Sequence, residues 1–475
     1  MRGRNMKLKL SDIVRATKGE SRYANQDEAI TGVSTDSRSI VAGTVFFALK
    51  GPRFDGHAFV RDVLRKGAIA AVVQDVATVG FAAPLIVVKD TLQALGDMAS
   101  YARKLYGTRI VAISGSAGKT TTKEMTAAIL RKSRQVLKTE GNKNNLIGLP
   151  LTLMGLDDSY AAAVVELGIS ESWEMQRLVE ICAPDVAVIT NIGRAHLATL
   201  GDIEGVARAK GPLFTALSPE AVRVVNADDP RVVKLAAAAA NIVTYSLNQD
   251  ADVRVIRYSV DEGFESIEAV YDVRGAEVKI RFNSPSMVYV MNGAAALAAV
   301  LPFGATTSEM TAGLNGFQPL NGRMGEWRSQ GVTILDDTYN ANPESVASAL
   351  RTLALARGRR VAVLGAMLEL GDAAGQEHAA IGRMAASLGI EMLIAVGALA
   401  GAAAEAALEA GMKPSRVFSF KDNGAAQAGL KNLIAAGDTV LVKGSRGAAL
   451  EDVVEALKEI VTGSAGYSQP SITIR

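Results

Sequence analysis

The sequence predicts an α/β protein of three units: a small α/β unit over residues 1–100, a central parallel-sheet unit built round a Gly-rich loop over 101–320, and a C-terminal Rossmann-like, doubly wound unit over 321–475. Three observations carry this. At 475 residues the chain exceeds one ordinary domain, so two to four are expected. Fully apolar runs alternate with helical stretches, the pattern of a parallel sheet covered on both faces. Finally, "IVAISGSAGKTTTKE" at 110–124 places a Gly-rich loop between a strand and a helix, and "PLNGRMGEW" at 319–327 reads as a linker.

In the first unit, "TVFFAL", "IAAVVQ" and "APLIVV" read as short strands among Gly-containing turns, with a helical stretch near Phe59–Lys66. "DTLQALGDMASYARKLYG" is an amphipathic helix stopped by Gly107, which puts the first boundary near residues 90–107. From Arg109 the order is strand, loop, helix, and "YAAAVVELG" and "PDVAVITNIG" add apolar strands. "DVRVIRYSV" and "AVYDVRGAEVKIRF" alternate polar with apolar residues, as an antiparallel addition would. Beyond the linker, "VTILDD", "RRVAVLG", "EMLIAVG", "RVFSF" and "DTVLVKG" are strands separated by helices, including "NPESVASALRTLALARG" and "GAALEDVVEALKEIV". The final "SAGYSQPSITIR" is expected to be a loose tail.

Composition excludes several classes. Lys and Arg total 51 against 49 Asp and Glu, without a long basic stripe, so nucleic acid is not an expected partner. The single cysteine, Cys182, rules out an internal disulfide, fits a reducing compartment and reads as a core residue. The start, "MRGRNMKLKLSDIVRATKGE", lacks the apolar core of a signal peptide, and Met6 is an alternative start. The longest charge-free stretch, 282–308, is interrupted by Asn283, Pro285, Asn292, Gly293 and Pro302 and reads as a buried Ala-rich helix with flanking loops rather than a membrane span. A soluble, cytoplasmic protein without membrane insertion is expected.

The loop Gly115-Ser116-Ala117-Gly118-Lys119-Thr120 has a physical mechanism. Its glycines let backbone amides crowd round a phosphate, the following helix adds the positive end of its dipole, and Lys119 reaches the terminal phosphates. The Thr120 hydroxyl is placed for Mg²⁺. Counted from Gly115 the motif is one residue shorter than G-x-x-x-x-G-K-[ST], and Ser114 stands where the longer form has its first glycine. An ordinary Gly-rich turn is the alternative. A guanine-specific loop would carry Asn-Lys-x-Asp, whereas "GNKNN" has no Asp, so ATP is favoured over GTP.

Further strand ends and helices supply Glu166 in "VVELG", Asn191 and His196 in "TNIGRAHL", and Lys210 in "ARAKGPLF". Carboxylate and imidazole at the carboxyl ends of parallel strands beside a phosphate loop form a natural second Mg²⁺ site. Taken singly, His196 also reads as a hydrogen-bonded structural histidine, and Lys210 as an exposed helix lysine.

In order, "GSAGKTT", "GNKNNLIGLPLTL", "VVELG", "TNIGRAHL", "ARAKGPLF" and "NADDP" resemble the Mur ligase family, the ATP-dependent amide-forming enzymes of peptidoglycan precursor synthesis, over nearly the whole chain. "GVSTDSRSIVAGTVFFALKGPRFDGHAFVRDVLRKGAIAAVV" is similar to that family's uridine-nucleotide-binding domain. "LDDTYNANPESVASAL", "VLGAMLELGDAAGQEH" and "VLVKGSRGAALEDVV" are similar to the branch that adds D-alanyl-D-alanine to UDP-MurNAc-tripeptide; "YNANP" and "VKGSR" set it apart from the diaminopimelate- and glutamate-adding branches.

The resemblance implies residue roles. Gly115, Ser116, Ala117, Gly118, Lys119, Thr120 and Thr121 would hold the ATP phosphates. Thr120 and Glu166 would bind the first of two Mg²⁺ ions. Lys210, carrying a carbamate (N6-carboxylysine), would share the second with His196 and Glu166, and Lys119, His196 and Lys210 are assigned to catalysis. Asn191 and Asn292 would lie near adenine or the reacting phosphates, and Arg323 and Asp337 would reach the nucleotide from the linker or third unit. Asn142, Asn144 and Asn145 match a loop near the muramoyl substrate. Ser37, Arg38 and Lys50, with Phe54, Asp55 and His57, fall in the uridine-nucleotide unit. Tyr339, Asn340, Asn342, Lys443 and Arg446 would meet substrate from the third unit. "GRMGEW" departs from the family pattern by its Gly after "GRM".

Plainer readings accompany several of these. Asp337 also reads as a cap for the helix beginning at Pro343 or a turn stabiliser, Asn340 and Asn342 as turn formers, and Lys443 and Arg446 as solvated strand-end bases. Glu369 and His378 read as loop or helix-surface residues, and Asp228 and Asp229 as turn builders. The implied reaction activates a carboxylate as an acyl phosphate, which the dipeptide amine then attacks, in a monomer whose third unit hinges near 319–325. The alternatives are a diaminopimelate- or lysine-adding ligase, a folylpolyglutamate-forming ligase, which "YNANP" and "DGHAF" argue against, and a non-catalytic nucleotide switch.

Overall fold

β-Branched runs form three main sheets in the computed structural model, which describes residues 7–52 and 54–463. The expected tail at 464–475 and the alternative start at Met6 lie outside the described residues. In the first sheet the order is Glu20–Arg22, Leu85–Val87, Ala70–Val73, Thr44–Phe47, Gly32–Ser34, parallel except for the first pair. Thr44–Phe47 and Ala70–Val73 are buried at every position, as strands covered on both faces are. The helix Thr91–Tyr106 leads out of this unit. Asp90 caps it by accepting from the amides of Leu92 (2.8 Å) and Gln93 (2.9 Å), and Gly107 ends it in the left-handed conformation.

The central sheet has nine strands in the order Ala276–Phe282, Ile267–Val273, Val253–Val260, Ile242–Ser246, Val222–Asn226, Val186–Ile189, Arg109–Ser114, Ala162–Glu166, Val136–Lys138. The first three are the expected antiparallel addition. Arg109–Ser114 lies between Val186–Ile189 and Ala162–Glu166, parallel to both. The chain departs to either side of it, so its carboxyl end is a topological switch point, where open α/β sheets bind ligands. The Ala-rich stretch is the helix Met287–Val300, nearly all buried and packed on the helix Lys119–Leu130. Among the described residues no helix is long and apolar enough to cross a membrane.

The third sheet runs Gly325–Ser329, Val332–Asp337, Asp438–Lys443, Arg359–Leu364, Met392–Val396, Val417–Phe420, all parallel except the first strand. The linker reading of 319–327 is corrected here: Gly325, Glu326 and Trp327 belong to a strand paired antiparallel with Val332–Asp337. Gln330 (φ 49°) and Gly331 (φ 78°) form the two-residue hairpin loop, with the positive φ at both positions that a type I′ turn requires.

Glycine at two helix positions separates packing from propensity. At Gly313, in the helix Thr307–Leu314, an added Cβ would lie 2.6 Å from the Cα of Ile129 on the phosphate-loop helix; at Gly375, in the helix Ala374–Ser387, it would meet open space. Propensity favours alanine at both by about 1 kcal/mol. Backbone cannot retreat cheaply, so overpacking of about 1–3 kcal/mol outweighs this at Gly313. Gly313→Ala is expected to lower the urea midpoint and Gly375→Ala to leave it unchanged or raise it. Matching shifts in the two variants would contradict the close helix crossing.

Candidate active site

The chain leaves the strand Arg109–Ser114 and turns at Gly115 (φ 144°) and Gly118 (φ 81°). A Cβ on Gly115 would lie 1.9 Å from Thr190 Oγ1, and one on Gly118 2.4 Å from Asn292 Oδ1, so neither position admits a side chain. The end of the adjacent strand pins the loop. Asn191 Oδ1 accepts from the Ala117 amide (3.0 Å), its Nδ2 donates to the Ala117 carbonyl (3.2 Å), and Thr190 Oγ1 donates to that carbonyl (2.6 Å). The Ser116 amide donates to the Asn191 carbonyl (3.0 Å). The helix Lys119–Leu130 then starts with no side-chain cap, which leaves its first-turn amides and positive end for an anion.

Lys119 Nζ donates to the Gly115 carbonyl (2.8 Å). Burial pushes its ammonium below the usual lysine range, with Glu166 opposing and Arg323 adding to the shift. The Thr120 hydroxyl donates to Glu166 Oε2 (2.8 Å) and accepts from Arg323 Nη2 (2.9 Å); Glu166 Oε1 accepts from Asn144 Nδ2 (2.9 Å). Beside the loop, Asn292 Nδ2 is buried without a partner.

Lys210 is 1 % exposed, which excludes the surface reading, and its side-chain amine has no hydrogen bond or ion pair among the described residues. Burial, reinforced by Lys119, pulls its pKa down to about 7. His196 adopts φ 57°, and its Nδ1 lies 2.6 Å from Glu369 Oε2 of the third unit. Burial pushes the imidazole below its usual range; Lys210 and Lys119 act the same way and Glu369 opposes them. With Glu369 largely in solvent, this pair contributes only about 0–1 kcal/mol of stability.

The third unit closes the cavity. Asp337 accepts from Lys443 Nζ (2.6 Å) and the Met324 amide (3.2 Å). Burial raises its carboxyl, with Lys443 opposing. Lys443 is 2 % exposed, so the solvated reading fails for it. Asp337 does not cap the helix Pro343–Ala354. Asn342 does, accepting from the Ser345 amide (2.9 Å), and its Nδ2 also reaches the phosphate-loop carbonyl of Ser116 (3.1 Å). Arg323 stacks on the Tyr339 ring at 4.1 Å, with Arg446 at 5.6 Å.

One cavity of about 560 Å³ is lined by Ser116–Thr121, Asn144, Asn145, Glu166, Asn191, His196, Lys210, Asn292, Arg323, Asp337, Tyr339, Asn340, Asn342 and Lys443. Gly115, Asn142 and Arg446 do not line it, and neither do Ser37, Arg38 and Lys50 of the first unit. There, Arg38 forks onto Asp36 (2.9 and 2.8 Å), the Ser37 carbonyl accepts from Lys66 (2.8 Å), and buried His57 pairs with Asp55 (2.5 Å) while accepting from the Gln74 amide (2.9 Å).

Asp228 and Asp229 build turns as read. Asp229 caps the helix Pro230–Ala236, and Asp228 accepts from Ser246 Oγ (2.7 Å) and the Leu247 amide (2.6 Å). Cys182 is buried, its thiol pushed up to about 12 by burial. His378 is not a surface residue: it is 2 % exposed and its Nε2 accepts from the Met367 amide (2.9 Å). The sequence reading missed Arg194, Glu344 and Glu377. The Arg194 side chain lies 3.4 Å from Glu344 and 3.3 Å from Glu377 across the unit junction. Glu344 carries only the signal of an acid in a first helical turn.

Among the described residues no three His, Cys, Asp or Glu side chains gather as a ready metal site. Glu166, Thr120 and His196 instead share the cavity with Lys210. Oxygen donors suit Mg²⁺, and a carbamate would turn Lys210 into the missing anionic one. The residues present fit both ions and the nucleotide.

Family models described as "Mur ligase family, catalytic domain", "Mur ligase middle domain" and "Mur ligase, glutamate ligase domain" match residues 29–103, 113–300 and 322–446. The UDP-N-acetylmuramoyl-tripeptide–D-alanyl-D-alanine ligase of Escherichia coli K12 is 35 % identical over 95 % of this chain and 98 % of its own length. A crystal structure of MurF from Acinetobacter baumannii is 32 % identical and superposes with a TM-score of 0.88 over 96 % of this chain and 98 % of that one. The structure of MurF from Thermotoga maritima in complex with ADP is 27 % identical, with a TM-score of 0.83 over 91 % of this chain and 98 % of that one. The chain belongs to the Mur ligase family.

Proposed function

We propose that the chain joins D-alanyl-D-alanine to UDP-N-acetylmuramoyl-tripeptide, consuming ATP and releasing ADP and phosphate, in the synthesis of peptidoglycan precursors. The observation that carries this reading is the near full-length 35 % identity to an enzyme of that name. The convergence of the phosphate loop with Arg323, Asn342 and Lys443 on one cavity supports it. The reading gives residues 1–100 the uridine nucleotide, 101–320 the ATP and 321–475 the dipeptide, in a cytoplasmic monomer.

The amide cannot form directly from a carboxylate and an ammonium in water, so the carboxyl must first be phosphorylated. Lys119 and the first-turn amides grip the terminal phosphates, and Asn292 Nδ2 offers an unused donor beside them. Thr120 and Glu166 would hold one Mg²⁺, and Glu166, His196 and carbamylated Lys210 a second; bound ions spread the phosphate charge so that an incoming carboxylate is not repelled. Attack by the tripeptide carboxylate on the γ-phosphorus breaks its bond to the β-phosphate oxygen and gives an acyl phosphate and ADP; the neutral dipeptide amine then adds to the acyl carbon, and phosphate and a proton leave. Arg323 delivers positive charge from the third-unit side, and docking of that unit excludes water that would hydrolyse the acyl phosphate.

A carbamate forms when a neutral amine adds CO₂ and releases one proton. Lys210, with its pKa near 7, carries a large neutral fraction at neutral pH, which an exposed lysine does not.

In an assay containing ATP and the UDP-tripeptide, phosphate release is expected with D-Ala-D-Ala and not with single amino acids. Lys119→Ala and Glu166→Ala should each slow it at least about 100-fold; full speed in either would refute the reading. Stripping CO₂ from the buffers should slow the enzyme and bicarbonate restore it. Lys210→Ala should be insensitive to CO₂ and regain activity with added acetate, and an unchanged rate without CO₂ would rule the carbamate out. Without metal and CO₂, the Lys210 pKa is about 7 in the folded chain against the ordinary lysine value of 10.5. The unfolded chain therefore binds more protons between those values, and stability rises with pH across that window. Urea midpoints measured from pH 7 to 10 should climb in the parent chain and climb less in Lys210→Met; parallel slopes would contradict the buried amine.

A further inference from the structure

Two non-glycine residues with left-handed backbone meet across the junction of the central and third units: His196 (φ 57°) and Glu369 (φ 64°). Strained backbone persists where its surroundings over-determine it, and here they do. His196 Nδ1 lies 2.6 Å from Glu369 Oε2, while the Ala198 amide donates to the Glu369 carbonyl (3.0 Å). Gly371 (φ 56°) lets the loop come close, since a Cβ there would lie 3.2 Å from the Ala198 Cα. From behind, the loop is fixed by His378, which accepts the Met367 amide (2.9 Å), and by Ser445 Oγ, which accepts the Leu368 amide (2.9 Å). Next to it, the Arg194 amide donates to Glu344 Oε2 (2.9 Å). His196 Nε2 has no partner among the described residues.

We propose that Glu369 is a positioning residue: the third unit supplies the carboxylate that fixes His196 as its Nδ1–H tautomer and leaves Nε2 free toward a cation shared with Glu166 and Lys210. A carboxylate behind a ligating imidazole sets its tautomer and orientation. Glu369 is 63 % exposed, so the pair adds little stability and its effect is directional. The third unit then does more than carry the dipeptide: its docking completes the metal site, so nucleotide activation waits for the domain that brings the amine. The inference rests on the reading of His196 as a metal ligand.

The chain has three histidines, His57, His196 and His378, so ¹⁵N-histidine labelling of the full metal-free chain resolves each ring. At about pH 9, where imidazoles are neutral, His196 (assigned by its loss in His196→Gln) is expected as Nδ1–H. In Glu369→Ala it should shift to Nε2–H while the other two rings stay unchanged. Mn²⁺ affinity in the presence of ATP, read by electron paramagnetic resonance, should weaken about tenfold or more in Glu369→Ala. Glu369→Gln, whose amide oxygen still accepts from Nδ1–H, should retain the tautomer and part of the affinity, and it provides the measurement if the alanine variant does not fold. An unchanged tautomer, or unchanged Mn²⁺ affinity in a folded Glu369→Ala, overturns the proposal and leaves the pair as a docking contact. Neither readout needs a peptide substrate. A chain that passes both yet forms no amide refutes the ligase reading alone, and one in which His196→Gln keeps full Mn²⁺ affinity refutes His196 as a ligand.

Discussion

The site depends on how the end of one strand holds the loop that follows its neighbour. Ser114 is in register with Ile189, so Thr190 and Asn191 emerge beside the loop and clamp the Ala117 backbone through three side-chain hydrogen bonds. Because the clamp comes from the adjacent strand, the first-turn amides beyond it stay uncommitted. The absence of side chains at Gly115 and Gly118 is the other half of the constraint, since Thr190 and Asn292 already occupy that space. A slip of one residue between the two strands would turn Thr190 and Asn191 to the opposite faces of the sheet.

Lys119, Lys210 and Arg323 share the cavity with Glu166, Glu174, Asp337 and Glu344; Lys119 lowers the basicity of Lys210 beyond what burial does alone, and Arg323 lowers that of Lys119. Unpaired buried cations are costly; under the proposed function a triphosphate with its metals, or a carbamate, would supply negative charge beside them. Lys443 is different. Its strand runs beside that of Asp337, whose carboxylate it meets at 2.6 Å, so this buried pair ties two strand ends together while presenting little net charge to the cavity.

Features written within one unit were legible in the sequence. The Gly107 stop, the apolar strands, the antiparallel addition and the strand–loop–helix around Gly115 all follow from local chemistry and period. What escaped depended on partners from elsewhere in the chain. Gln330-Gly331 makes a hairpin loop although glutamine is not a usual positive-φ residue, so the preceding strand read as linker. Asn342 looked like a turn former and proves to be a helix cap, and the same side chain reaches Ser116 in another unit. Lys210 ends a helix whose lettering suits a surface, and only the arrival of neighbouring elements buries it. His378 gave no sign that its ring would stand under the loop carrying Glu369. Periodicity tells which face of an element is apolar; it is silent on which polar side chains a second unit will bring to that face.

The named contacts between the central and third units are mostly polar and partly wet. Arg194 sits near Glu344 and Glu377, Arg328 Nη2 donates to the carbonyls of Gly263 (2.8 Å) and Phe264 (2.9 Å), and Ser286 Oγ meets Thr352 Oγ1 at 3.2 Å. Mobile ions screen such charges over about 10 Å at 0.1 M salt. Buffer ionic strength therefore acts on the seam itself as well as on the capture of anionic substrates, so kinetic constants for this chain are comparable only at matched salt.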